Sequence, residues 1–268
     1  MPLSSLSRRT LLRLGATLGL LRAGAARAAE APPIAAAADL TYALPEIAAF
    51  FTKTTGDRVK LVFGSSGNFA TEIANGAPFE MFLSADETYV TQLAQNGLTR
   101  DAGVLYAEGR IGVFAARAAS FAADPGLRGV RAALAQGKLG KFAIANPAHA
   151  PYGRAAREAL LHAGLWETIA SHLVLGENVA QAAQFIRAGA AAGGILPLSL
   201  ASAPGFAEAG HFALIATDWH QPLRQRMVLL KKAGATAAAF YDFVQRPPAR
   251  AIFQRYGFAL PGEPTGRG

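Results

Sequence analysis

The sequence predicts an α/β fold with largely parallel strand pairing, on three observations. Short β-rich runs alternate with helical stretches along the chain, the pattern that layers helices on a sheet. Several helical stretches stop at a glycine (Gly56, Gly76, Gly97, Gly164 and Gly189), the residue that most readily closes a helix in the left-handed conformation. With 268 residues, 51% of them hydrophobic, the chain can bury most of its apolar surface without cross-links.

Residues 1–28 read as an address. Ser7-Arg8-Arg9-Thr10-Leu11-Leu12 is a twin-arginine pattern, and the apolar stretch after it, to Leu21, is too short to span a bilayer. Ala26-Arg27-Ala28 supplies small residues for cleavage, so an export signal and a mature start near Ala29 are expected. Next, Leu40, Leu44, Ile47 and Phe51 share one helical face, but Pro45 falls inside the pattern and would cost about 3 kcal/mol in a regular helix. A kinked or late-starting helix is expected near Asp39 to Pro45.

A strand over Val59–Phe63 then breaks into Gly64-Ser65-Ser66-Gly67 and restarts as a short helix ending at Asn75-Gly76. A helix start leaves N–H groups unpaired and carries partial positive charge, so hydroxyls and glycines there can seat an anion. Read alone, the same four residues also describe a turn with Ser66 as an ordinary N-cap. Ala77-Pro78 turns the chain into a strand over Met81–Leu83, and Ser84 with Glu87 has capping-box spacing at the next helix, which leaves Ser84 open as cap or ligand residue. Further strands are expected at Gly112–Ala115, Phe142–Ala145, Leu173–Leu175, Gly194–Leu196, Ala213–Ala216 and Met227–Leu230, with helices between them. Thr236–Gln245 and the stretch from Pro247 or Pro248 to Tyr256 read as two short helices hinged at Arg246-Pro247-Pro248.

Composition narrows the chemistry. The absence of cysteine excludes disulfides, thiolate catalysis and thiolate metal sites. The formal net charge is +8, but Arg8, Arg9, Arg13, Arg22 and Arg27 of the leader supply five of those charges with no acid among them, leaving +3. No Lys/Arg run with interleaved aromatics occurs, so nucleic acid is not an expected partner. No Gly-x-x-x-x-Gly-Lys-Ser/Thr segment occurs either, so ATP hydrolysis would lie in another subunit.

The segment Phe63-Gly64-Ser65-Ser66-Gly67-Asn68-Phe69, followed by Asn75-Gly76-Ala77-Pro78-Phe79 and Phe82-Leu83-Ser84-Ala85-Asp86, resembles the periplasmic molybdate-binding proteins of ABC importers. Ala36-Ala37-Ala38-Asp39-Leu40, Asn146-Pro147 with Ala150-Pro151-Tyr152-Gly153, and Phe253 with Tyr256-Gly257-Phe258 follow in the same order, so the likeness spans about Ile34 to Pro261. The resemblance implies a two-lobed periplasmic-binding-protein fold, each lobe a mostly parallel sheet flanked by helices, with two crossover strands between lobes. Lobe one would be 29–112 and 225–268, lobe two 113–224. It implies a periplasmic, monomeric, non-enzymatic protein without a cofactor, with molybdate or tungstate as transported ligand and an inner-membrane permease as partner. The ion would be held by donors from Ala38, Asp39, Ser66, Tyr152 and Val179, with no protein ligand on the molybdenum itself. Related proteins commonly carry a hydroxyl, or a Thr-Asn pair, where this chain has Ala38 and Asp39. The expectation is that Asp39 turns away to cap the following helix and leaves backbone N–H groups to face the ligand; a neighbouring cation is the other way to offset its charge.

Other readings start from the same residues. A serine hydrolase would use Ser65 or Ser66, one of His149, His162, His172, His211 or His220, and an acid such as Asp86, but no Gly-x-Ser-x-Gly elbow surrounds those serines. No histidines form a close pair at metal-ligand spacing. A stand-alone regulatory domain is opposed by the leader and by the lack of a helix-turn-helix segment. Sulfate, phosphate or another tetrahedral oxyanion is the alternative ligand.

Overall fold

Two five-stranded sheets organise residues 30–262, the part of the chain that the computed structural model describes, the side chain of Ala207 excepted. The expected export signal lies outside the described residues. In chain order the strands are β1 (Pro33–Ala37), β2 (Lys60–Gly64), β3 (Met81–Ser84), β4 (Val104–Gly109), β5 (Ile111–Ala116), β6 (Phe142–Ala145), β7 (Leu173–Gly176), β8 (Gly193–Pro197), β9 (Gly210–Leu214) and β10 (Leu223–Leu229). The α-helices are α1 (Ala43–Thr55), α2 (Ser66–Ala74), α3 (Glu87–Gln95), α4 (Arg128–Ala135), α5 (Pro151–His162), α6 (Trp166–Ile169), α7 (Val179–Arg187), α8 (Leu198–Ala201), α9 (Phe206–Ala209), α10 (Ala235–Val244) and α11 (Pro247–Arg255). Of three 3-10 turns among the described residues, Ala38–Leu40 follows β1.

The first sheet has the order β2-β1-β3-β10-β4 and the second β7-β6-β8-β5-β9. Each contains a parallel trio, β2-β1-β3 or β7-β6-β8, extended by antiparallel pairings of β10 or β5. The chain passes from the first sheet to the second at Arg110, between β4 and β5, and returns through residues 215–222 into β10. Phe51 packs edge-on against Phe240 and Phe243 beside the first sheet, and Phe114 against Phe206 beside the second. Such T-shaped pairs add about 0.5–1.5 kcal/mol each to the burial itself.

The sequence does not announce β1 or β4. Alanine is a poor strand former in isolation, yet Ala35 and Ala36 of β1 are wholly buried between two parallel neighbours, where close approach matters more than propensity. β9 begins three residues earlier than its apolar run, at Gly210, because pairing with β5 carries it on to Ala116. Pro45 is accommodated because α1 starts late, at Ala43: the proline sits in the first turn, where its missing N–H has no intrahelical carbonyl to lose. All five glycines expected at helix ends have positive φ. Ser84 is no cap: it ends β3, its Oγ exchanges hydrogen bonds with the backbone of Asp86, and Asp86 itself caps α3 through Thr88 N–H at 2.9 Å.

Candidate functional site

Five chain segments leaving the carboxyl ends of parallel strands meet at one small cavity, one of them the turn at Ala85 from β3 into α3. β1 runs into the 3-10 turn, β2 into α2, β6 through residues 146–150 into α5, and β7 into α7; this is the end of an α/β sheet where crevices form. The cavity offers about 10 Å³ to the centre of a water-sized sphere. That suits one compact polar species and lies far below the several hundred Å³ of an organic-ligand pocket.

Ala38, Asp39, Ser66, Tyr152 and Val179, taken from four distant parts of the sequence, all line this cavity. Ser66 is the first residue of α2, not its N-cap; that position belongs to Ser65. The Ser66 Oγ accepts the Ala85 N–H at 3.0 Å and is buried, so its own proton is free to be donated. In α7 the Asn178 side chain accepts from the N–H groups of Ala180 and Gln181, leaving the Val179 N–H as the uncapped first-turn donor. Tyr152 follows Pro151 in the first turn of α5. Three helix N-termini thus border the cavity, each favouring an anion by about 0.3–1 kcal/mol, up to about 2 when partly buried.

The expectation for Asp39 fails. Its carboxylate does not cap the following helix, α1, which has no side-chain cap, and among the described residues no ion pair reaches it. Instead Oδ2 accepts from Tyr152 OH at 2.9 Å and from Gln225 Nε2 at 2.6 Å, while Oδ1 is buried without a partner. The reason is tertiary: β10 and α5 bring two donors against the carboxyl that no local helix end can match. Gln225 Nε2 also donates to Tyr152 OH at 2.9 Å, Tyr106 OH donates to Gln225 Oε1 at 2.7 Å, and Ser199 Oγ donates to the Asp39 carbonyl at 2.9 Å. Burial pushes the Asp39 carboxyl up to about 6, with the bonds from Gln225 and Tyr152 pulling it part of the way back. Burial also holds the phenols of Tyr106 and Tyr152 well above their ordinary value, so both are neutral donors.

Sequence reasoning missed Gln225, Tyr106, Ser199 and Asn178. Gln225 carried a usable signal, since the period-2 alternation of β10 places it on one face with buried Leu223 and Met227. The others had none beyond their type.

Direct contacts join the two sheets around the cavity. The Gly67 N–H and Ser65 Oγ both donate to the His149 carbonyl, at 3.0 and 2.5 Å. Asn68 Nδ2 donates to Glu177 Oε1 at 2.5 Å, and Arg154 Nη2 to Asp86 Oδ2 at 2.8 Å. The Arg154–Asp86 pair is part-exposed and is worth at most about 1 kcal/mol. Arg154→Ala is therefore expected to weaken ligand binding less than about fivefold in calorimetry; a hundredfold loss would make this pair the main clasp. Ser65 Oγ also lies 3.0 Å from His149 Nδ1, the pair a hydrolase would use, but its proton is directed at the His149 carbonyl and the serine is buried. Among the described residues no group of three His, Asp or Glu side chains is placed to hold a metal ion, and no helix is long and apolar enough to cross a membrane.

Two sheets facing one small cleft, with helix starts as its walls, are the build of a protein that captures a small solute. The model of the bacterial extracellular solute-binding protein family matches residues 33–259, and the chain belongs to that family, whose members bind solutes and are not enzymes. Its relatives include the molybdate-binding protein ModA of Azotobacter vinelandii, 38% identical over 94% of this chain and 98% of that one. The Rhodobacter capsulatus ModA is 36% identical over 92% and 96%. The solved Azotobacter vinelandii periplasmic molybdate-binding protein superposes with a TM-score of 0.75, at 30% identity in the superposition, over 86% of this chain and 99% of that one.

Proposed function

We propose that this chain captures molybdate, and tungstate, in the cleft between its two sheets and delivers it to an inner-membrane ABC permease. The observation that carries the reading is the convergence of helix starts and the free Ser66 proton on a cavity fit for one compact anion. The identity of the relatives supports molybdate over other oxyanions. Donors from Ala38, Asp39, Ser66, Tyr152 and Val179 surround the oxide oxygens, and no side chain ligates the molybdenum. Tyr152 contributes its backbone N–H, because its hydroxyl is committed to Asp39. Charge-assisted bonds of about 1.5–3 kcal/mol each replace the lost hydration, and several suffice for micromolar to nanomolar affinity, about −8 to −12 kcal/mol.

Residues 29–112 and 225–268 form one lobe and 113–224 the other, closing over the ion so that both contact it. The protein acts as a monomer in the periplasm, with residues 1–28 as its export signal. Thermal unfolding against molybdate, tungstate, sulfate, phosphate and chromate tests this. A large upward shift with molybdate and tungstate alone is expected, and a shift with sulfate or phosphate alone overturns the assignment.

A further inference from the structure

Asp39 lines the cavity, is 1% exposed as a residue, and has its carboxyl oxygen Oδ1 buried. Two side-chain donors, Tyr152 OH and Gln225 Nε2, converge on Oδ2, and among the described residues Oδ1 has no hydrogen-bond partner. The groups around this carboxyl among the described residues are neutral: its own backbone N–H, Tyr152 from α5 and Gln225 from β10 bonded to it, Tyr106 of β4 behind Gln225, Ser66 of α2 and Val179 of α7 across the same cavity, and Ser199 of α8 on the Asp39 backbone carbonyl. The charged groups at the cleft are paired with one another, Arg154 with Asp86 and Glu158, and His149 beside Glu177. Arg224 and Arg226, which flank Gln225, both pair with Glu87. An ionised Asp39 would stand next to a doubly negative ligand with no cation to offset it, and Oδ1 would be an acceptor facing acceptors. A proton on Oδ1 removes the charge and turns the unpartnered oxygen into a donor.

We propose that Asp39 binds the oxyanion as a carboxylic acid, its Oδ1–H donating to a ligand oxygen, so that capture of the ion takes up one proton from solvent. This rests on the molybdate reading above and adds to it a pH-dependent specificity group. The free carboxyl already sits at about 6, so protonating it at pH 7 costs only about tenfold in affinity. The sign follows from linkage. Binding favours the protonated form and raises the carboxyl further in the complex, so affinity is full below about pH 6 and falls about tenfold per unit as pH rises above it.

The test is calorimetry of the native protein with dilute molybdate, in two buffers of different ionisation enthalpy, from about pH 6.5 to about pH 8.5. Uptake of about one proton at about pH 8 and a roughly hundredfold loss of affinity across that range are expected. Asp39→Asn keeps a neutral donor; it is expected to bind with no proton uptake, with affinity independent of pH, and more tightly than the native protein at about pH 8. Molybdate binding that is flat with pH and free of proton uptake overturns the inference while leaving the ligand assignment intact. Asp39→Asn binding more weakly than the native protein at about pH 8 also overturns it, whereas hydrogen phosphate binding in preference to molybdate, which would make Oδ1 an acceptor, overturns the inference and the ligand assignment together. Absence of molybdate binding by either protein at every pH overturns the ligand assignment and this inference together.

Discussion

Ser66→Ala is expected to weaken molybdate binding by at least tenfold and to lower the stability of the ligand-free protein by about 1–3 kcal/mol. Two losses act together. The ligand loses a hydroxyl donor whose proton is freed because Oγ already accepts from Ala85, and a charge-assisted bond of that kind is worth about 1.5–3 kcal/mol, a factor of roughly 10 to 150 in affinity. The Ala85 N–H, in turn, loses its acceptor in a buried site. Calorimetry and thermal unfolding read the two losses separately. Unchanged affinity would remove Ser66 from the site even if stability fell.

Gly67→Ala should have the opposite profile, with affinity lost and the ligand-free fold retained. Gly67 lies in the first turn of α2 with ordinary helical φ, so alanine suits the helix itself. A Cβ built there, however, falls 2.5 Å from the His149 carbonyl oxygen of the other sheet and 2.9 Å from Tyr89 OH. Backbone at that distance must shift, at a cost of about 1–3 kcal/mol, which translates to about 10- to 100-fold weaker binding if binding requires the two sheets to close at this point. Without ligand the variant can relieve the clash by letting the two sheets stand apart at this point, losing only the Gly67–His149 hydrogen bond, so it should unfold within a few degrees of the native protein. Small-angle scattering with saturating molybdate should show it more expanded than the native complex. Native-like affinity would show that the Gly67–His149 contact is dispensable for capture.

The legible parts of this molecule are those whose physics is local. A helix start needs hydroxyls, glycine or proline within a few residues, so Gly64-Ser65-Ser66-Gly67 could be placed on a loop-to-helix junction from sequence, and the positive φ of Gly56, Gly76, Gly97, Gly164 and Gly189 could be foreseen. The all-alanine core of β1 could not, since its strand character comes from neighbours on both sides. The resemblance singled out Ala38, Asp39, Ser66, Tyr152 and Val179, but the state of each was beyond it. Ser84, with the spacing of a cap, ends a strand, and Asp39, expected to cap a helix, is held by a tyrosine and a glutamine.

What the sequence determined by itself is the alternation of strand and helix, the glycine stops, and a set of helix starts rich in small residues and hydroxyls. Only the tertiary structure decided that these starts face one another, and that the Asp39 carboxyl lies beside Tyr152, 113 positions away, and Gln225, 186 positions away. The reason is one of range. Backbone propensity and capping act over one helical turn, whereas the protonation of a carboxylate depends on how completely distant segments exclude water from it and which donors they bring.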